Sequence, residues 1–158
     1  MNQATQRCRN CAKPWSGLLA TGKFLTAARL MTDESAIYED HILRHYEEPY
    51  HNGSYAKATH QQRVDNPVCG DSVQLELRVA NARLIEQAWF TGTGCVISQA
   101  SASMFVEHIE GKTIEVLSDF TAQDMLDLFG ARLTPRRQQC CLLAWLALCQ
   151  LIQSIESG

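Results

Sequence analysis

The sequence lacks a basic surplus, a long hydrophobic run, an internal repeat and a low-complexity tract, and these absences close off several classes of function. The formal net charge is −3, and no basic stripe stands out to neutralise phosphates, which argues against a nucleic-acid binder. The longest apolar run, "CCLLAWLALC" from Cys140 to Cys149, is about half of the ~20 residues that a bilayer crossing needs. No membrane role is expected. Arg7 and Arg9 stand near the start, but neither a continuous apolar core nor a small-residue cleavage site accompanies them, so a secretory signal is not expected either.

Acidic residues are missing altogether from the first 30 positions, which also show no clean period. Residues 1–30 are expected to be a poorly ordered extension, or translated sequence upstream of the functional start. Met31 opens "MTDESAIYEDHILRHYEEP", which would serve as a start of its own, and residues 31–158 are expected to form the working domain. A chain of 158 residues, 46% apolar and 20% charged, is long enough for one soluble domain with a sizeable core. Cysteine is the exception to these shortages: there are seven. In a secreted chain that odd count would leave an unpaired thiol. In a reducing cytosol the same residues are thiols, metal ligands or nucleophiles, and a cytoplasmic location is expected.

The pattern opens with a helix from about Ser35 to Glu47, where Ile37, His41, Ile42 and Tyr46 share a face and Pro49 ends the element. "HNGSYAKATHQ" is a turn-rich link. Strands are expected near His60–Val64, Val73–Val79 and Leu84–Thr91. In the second, Val73, Leu75, Leu77 and Val79 alternate with Gln74, Glu76 and Arg78, as in a sheet with one wet face. "ANAR" between the last two is short enough for a hairpin. After "TGTGC" the period switches to helix, from Ile97 to Glu110, with Ala100, Met104 and Ile109 among its buried positions. Short helices are expected at Thr113–Ser118 and Ala122–Phe129. The latter has Thr121 as N-cap, Asp124 at the third position and Gly130 as stop. Pro135 suits the first turn of one last helix running to about Ser154. The fold class is α+β: a small three-stranded antiparallel sheet with helices packed on one face.

Cys69 and Asp71 occupy the turn before a strand, in "NPVCGDSVQLELRV". Cys95 lies between Gly94 and the start of a helix, and Cys140 in the first turn or so of the last helix. Ends of elements let side chains converge, and a helix N-terminus favours thiolate over thiol. Three thiolates and a carboxylate match a tetrahedral site for zinc, or for iron bound to sulfur. The other reading is that these cysteines are small buried hydrophobes.

From about Ile37 to Leu151 the chain resembles the U-type iron–sulfur cluster assembly family, which includes IscU, SufU and the N-terminal part of NifU. The matching motifs are "HILRHYEEPYHNG", "NPVCGDSVQLELRV", "FTGTGCVISQASASM" and "QCCLLAW", in the family's order. The resemblance implies a helix–sheet–helix fold and a site of Cys69, Asp71, Cys95 and Cys140, the CLLAW register picking Cys140 over Cys141. It implies a scaffold that accepts sulfur from a cysteine desulfurase, builds or relays a labile cluster, [2Fe-2S] in type, and passes it to downstream transfer or apo-acceptor proteins. The acceptor of sulfur would be Cys69 or Cys140, with Cys69 favoured by analogy with SufU. "ISQASASM" is similar to the SufU branch, whose members bind zinc and accept persulfide sulfur, although the usual SufU insertion before the last cysteine is missing. The IscU landmarks are missing too: "ARLTPRRQQC" holds no "LPPVK", and Gln139 stands where IscU has histidine.

A chemical expectation follows for Asp71. Thiolates bind iron and zinc tightly, and one carboxylate in place of a fourth thiolate makes a weaker corner, so Asp71 is expected to tune release. Gly70 would let the turn bring both ligands to one metal, with Gly92 and Gly94 freeing the backbone around Cys95. The remaining candidates have plainer roles. Cys8 and Cys11 form a C-x-x-C with no second pair nearby. Cys149 is expected in the core, Cys141 as a spare thiol beside the site. His41 and His45 are expected to pack or face solvent, Arg136 and Arg137 to sit on a solvated helix start, and Trp145 and Trp89 to be core aromatics. Besides the scaffold, two alternatives stand: a zinc-dependent sulfurtransferase that never holds a cluster, and, more remotely, a structural zinc protein or thiol–disulfide enzyme.

Overall fold

The computed structural model describes residues 39–158; the expected extension over residues 1–30, with Cys8 and Cys11, and Ile37 of the first helix lie outside the described residues. Three strands, β1 (His60–Asp65), β2 (Ser72–Val79) and β3 (Ile85–Thr93), form one antiparallel sheet in the order β1-β2-β3. Alternation in β2 drives Val73, Leu75 and Leu77 into the core at 0% exposure, because successive side chains of a strand point to opposite faces. A bulge between Arg78 and Val79 and a short 3-10 turn, Asn81–Arg83, connect β2 to β3.

Helices cover the inner face of the sheet. The first, α1 (Asp40–Glu47), packs on α2 (Val96–Ile109), which lies against β3 and β2. Then come α3 (Ile114–Ser118), α4 (Ala122–Phe129) and α5 (Pro135–Cys141), and α6 (Leu143–Ser157) lies against β1 and β2. As the sequence suggests, Thr121 and Asp124 close a capping box at the start of α4, and Gly130 ends it in the left-handed region at φ 82°. α2 is buried on nearly every side, Ser98, Ser101 and Ser103 included. Small residues let its neighbours approach, and the hydroxyls find partners. Ser103 Oγ accepts from Tyr50 N at 2.8 Å and pairs with His45 Nδ1 at 2.8 Å. Phe90, Phe105 and Phe129 are fully buried, each burial stabilising by roughly 1.5–3 kcal/mol.

Four expectations need correction. The last helix is two: α5 and α6 meet at Leu142 with a bend of 53°. The bend lets α5 pack on α2 while α6 lies along the sheet, and an unbroken apolar "CCLLAW" run conceals it. In α1, Tyr46 is 44% exposed and His45 turns inward instead. The outer face of the sheet is not simply wet. Glu76 is 3% exposed, accepting from Tyr55 N at 2.6 Å and Gln74 Nε2 at 2.8 Å. Trp89 belongs to that outer face, not the core: its ring stacks on His51 at 4.4 Å and on Tyr55 at 5.5 Å. The link before β1 thus clamps over the sheet's back. Trp145 is core, donating from Nε1 to the Phe120 carbonyl at 3.1 Å. Among the described residues no single helix is long and apolar enough to cross a membrane.

The close β2–β3 approach has a measurable requirement. A Cβ on Gly92 would overlap the Ser72 carbonyl oxygen and press on Val73 Cα at 3.2 Å, backbone atoms that cannot turn aside. Gly92→Ala is expected to destabilise by about 1–3 kcal/mol, read as a lower denaturation midpoint at unchanged m-value.

Candidate metal centre

The β2–β3 register builds half of the site. Ser72 pairs with Thr93, so Asp71 and Gly94 leave the ladder on opposite strands at the same end. Gly94 has no side chain, and a Cβ there would sit 2.6 Å from Asp71 Cγ and 2.5 Å from Ser98 Oγ. The carboxylate occupies that space. Cys95 follows as the N-cap of α2, and its N–H donates to Asp71 Oδ2 at 3.4 Å.

Cys69 is held by the turn between β1 and β2. Asn66, 1% exposed, ties that turn: its Oδ1 accepts from Val68 N at 2.9 Å, its carbonyl from Gly70 N at 2.8 Å, and its N–H donates to the Asp71 carbonyl at 2.7 Å. Gly70 adopts φ +75°, a conformation that glycine enters without steric cost. Cys69 is left exposed. Its Sγ lies 3.2 Å from that of Cys140, which is 5% exposed on the last turn of α5. Cys140 was expected near the start of the last helix; the break at Leu142 puts it in the last turn of α5 instead.

Ligand atoms of Cys69, Asp71 and Cys140 lie within 4.8 Å of one another. Cys95 lies beside this group: its N–H reaches Asp71 Oδ2, and its thiol, 3.9 Å from Ser98 Oγ, is near enough to Cys140 and Asp71 for its ionisation to depend on theirs. Three of the four expected residues, Cys69, Asp71 and Cys140, therefore meet, and Cys95 stands next to Asp71. Cys141 is fully buried, hydrogen-bonded to Ser101, and Cys149 is core at 6% exposure. His41 and His45 are engaged with the Phe129 carbonyl and Ser103, and Arg136 is exposed at the start of α5.

The electrostatics favour one thiolate beside the carboxylate. Hydrogen bonding from the Cys140 thiol is the main reason the Cys95 pKa falls from 9.0 to about 6, against burial and the nearby Asp71 charge; the Ser98 N–H assists. Cys140 is pushed strongly upward, first by the same bond to Cys95, then by burial and by Cys69. Burial would raise the Asp71 carboxyl, but hydrogen bonds from Cys95, Ser98 and Cys140 outweigh it and hold it below the ordinary carboxylate range. Two sulfurs and one carboxylate oxygen within 4.8 Å of one another, beside a thiol that ionises readily, are a donor set that fits a soft divalent cation or an iron–sulfur unit. Burial is the main cause that raises Cys141, which marks it as a packing residue rather than a ligand.

Two supporting residues carried no signal strong enough to single out. Asn66 directs Nδ2 at Cys140 Sγ from 3.9 Å, and Ser98 Oγ lies 3.9 Å from Cys95 Sγ while donating to the Cys95 carbonyl at 3.0 Å. The hint for Asn66 was its place just before Pro67, where a side-chain amide closes turns.

Residues 37–157 match the model of the NifU-like N terminal domain. The chain is 32% identical over 139 residues to the zinc-dependent sulfurtransferase SufU of Bacillus subtilis, covering 77% of this chain and 93% of that protein. It is 31% identical over 110 residues to the iron–sulfur cluster assembly scaffold protein IscU of Haemophilus influenzae, covering 68% and 86%. In fold it is similar to the SufU protein of Fervidobacterium islandicum AW-1, with a TM-score of 0.65 at 24% identity over 75% of this chain and 98% of that one. The N-terminal NifU-like protein of Brucella abortus gives a TM-score of 0.65 at 19% identity, covering 78% and 97%. With a family match over nearly the whole described chain and Cys69, Asp71 and Cys140 gathered at one possible metal site, this protein belongs to the NifU-like N-terminal domain family of U-type iron–sulfur scaffolds.

Proposed function

We propose that this protein is an iron–sulfur cluster assembly scaffold. Cys69, Asp71, Cys95 and Cys140 take the cluster, [2Fe-2S] in type, as transient cargo; sulfur reaches them from a cysteine desulfurase, and apo-acceptor proteins remove the product. The observation that carries this reading is the meeting of Cys69, Asp71 and Cys140 within 4.8 Å, with the Cys95 N–H donating to the Asp71 carboxylate.

Each residue has a distinct task. Cys69, exposed on a glycine-containing turn, is the thiol that another protein's persulfide can reach; its thiolate attacks the outer sulfur, and the donor cysteine departs as thiolate. Cys95 supplies a ready thiolate near neutral pH. Cys140 anchors the site from the helical layer. Asp71, a harder donor among soft ones, makes the corner that releases. The 32% identity to a zinc-dependent sulfurtransferase favours a second reading, in which zinc resides on the same four residues and no cluster forms. Zinc bound there would keep the thiols deprotonated.

Three outcomes test these assignments. Anaerobic incubation with ferrous iron, cysteine and a desulfurase is expected to give a brown chromophore that transfers to an apo-ferredoxin; one tight zinc per chain and no chromophore would favour the sulfurtransferase. In Asp71→Ala, cluster transfer is expected to slow by about tenfold or more, the scale on which even outer-shell changes act; transfer at the wild-type rate would place lability elsewhere. Finally, the lowered Cys95 pKa means that its nucleophilic form predominates above about pH 6. Alkylation of Cys95 in chelator-treated protein, followed by peptide mass analysis, is expected to inflect near that pH rather than near the value of about 8.5 usual for free cysteine.

A further inference from the structure

Sulfur taken from a persulfide is at the sulfane level, and it must gain two electrons before it can bridge iron as sulfide. The site holds a pair of groups able to supply them. Cys69 Sγ and Cys140 Sγ are 3.2 Å apart, the first exposed and the second 5% exposed. We propose that, in the metal-free protein, these two residues act as a sulfide-releasing dithiol: Cys69 takes up a sulfane sulfur, and Cys140 displaces it as sulfide by closing a Cys69–Cys140 disulfide. This rests on the sulfur-acceptor reading above and adds the fate of the sulfur.

The step balances within the protein. The Cys140 sulfur attacks the inner sulfur of the Cys69 persulfide, Cys69 Sγ. One bond forms, Sγ to Sγ; one breaks, between Cys69 Sγ and the terminal sulfur. The terminal sulfur leaves with the electron pair and takes the Cys140 proton as hydrosulfide. It is reduced by two electrons, and the two cysteine sulfurs together are oxidised by two. A low-molecular-weight thiol or a dithiol protein resets the pair by ordinary exchange.

Exposure assigns the order of events. A donor protein's persulfide can approach Cys69 but not the buried Cys140, so Cys69 is the entry point and Cys140 the resolving thiol. Little movement is required, because the two sulfurs already lie 3.2 Å apart. The other thiols are less well placed. Cys141 is fully buried, Cys149 lies in the core, and Cys95 is not among the residues whose ligand atoms gather within 4.8 Å of Cys69 and Cys140.

The test uses the full chain, stripped of metal by a chelator, in anaerobic thiol-free buffer with glutathione persulfide as the sulfur source and rapid desalting afterwards. Wild-type protein is expected to release about one sulfide per sulfur loaded and to become lighter by two hydrogens, with a Cys69–Cys140 cross-link in the peptide map. Cys140→Ser is expected to keep the extra sulfur on Cys69 and release sulfide roughly tenfold more slowly or less. Cys69→Ser is expected to take up none at the site. A persulfide that persists on Cys69 in wild-type protein, or sulfide released equally fast by Cys140→Ser, overturns the proposal while leaving Cys69 as acceptor. Absence of sulfur on Cys69 in every protein overturns the acceptor reading and this inference with it. The wild-type cross-link decides the matter even if Cys140→Ser does not fold.

Discussion

The pairing of Ser72 with Thr93 at one end of the β2–β3 ladder is the constraint on which the site depends. It delivers Asp71 and Gly94 to the same place from strands running in opposite directions. Gly94 leaves room for the Asp71 carboxylate, and the next residue, Cys95, begins α2 with its N–H turned toward that carboxylate. A one-residue slip would turn every side chain of β2 to the other face and remove Asp71 from Cys95 in the same stroke. The inward alternation of Val73, Leu75 and Leu77 makes such a slip costly, since three fully buried side chains would have to exchange places with Gln74, Glu76 and Arg78. Hydrophobic burial in the sheet thereby fixes the geometry of a polar site beyond its end.

The remaining pieces are tied to this frame by separate devices. Asn66 staples the Cys69 turn through its side chain and both backbone groups. The break at Leu142 allows α5 to bring Cys140 against that turn while α6 keeps its apolar length on the sheet. The outer face carries its own clamp of Tyr50, His51, Trp89 and Tyr55 rings, with Glu110 accepting from the Tyr50 hydroxyl at 2.6 Å and pairing with His51 at 2.8 Å. That bond to Glu110 is the main cause pushing the Tyr50 hydroxyl up to about 12. Rigidity thus lies in the sheet and its two coverings, and the exposed Cys69 turn lies at their edge. Such a division suits a site that must hold its ligands in place yet admit a partner's sulfur.

The three strands, the helices α2 and α4 and the caps of α4 were legible in the sequence, because local periodicity and capping chemistry dictate them. The meeting of Cys69, Asp71 and Cys140 was legible only through resemblance: spacing along a chain does not say which loop ends meet. What escaped depends on tertiary context. The bend at Leu142 has no glycine or proline to announce it, and comes from α5 and α6 serving different neighbours. Glu76 is charged and in an outward register, yet is buried by a loop whose return over the sheet no local pattern encodes. Trp89 took its core assignment from hydrophobicity, whereas its position opposite Glu76 in the β2–β3 register places it under that same loop. His45 and Tyr46 exchange roles because a buried serine, Ser103, offers the histidine a hydrogen bond.

In the proposed site, four side chains from three separate regions surround one ion. X-ray absorption at the metal edge of protein loaded with zinc measures this directly. Three sulfur scatterers and one oxygen are expected around the zinc, with one sulfur lost in each of the serine variants of Cys69, Cys95 and Cys140 and the oxygen lost in Asp71→Ala. A shell with fewer sulfurs that is unchanged by those substitutions would contradict it.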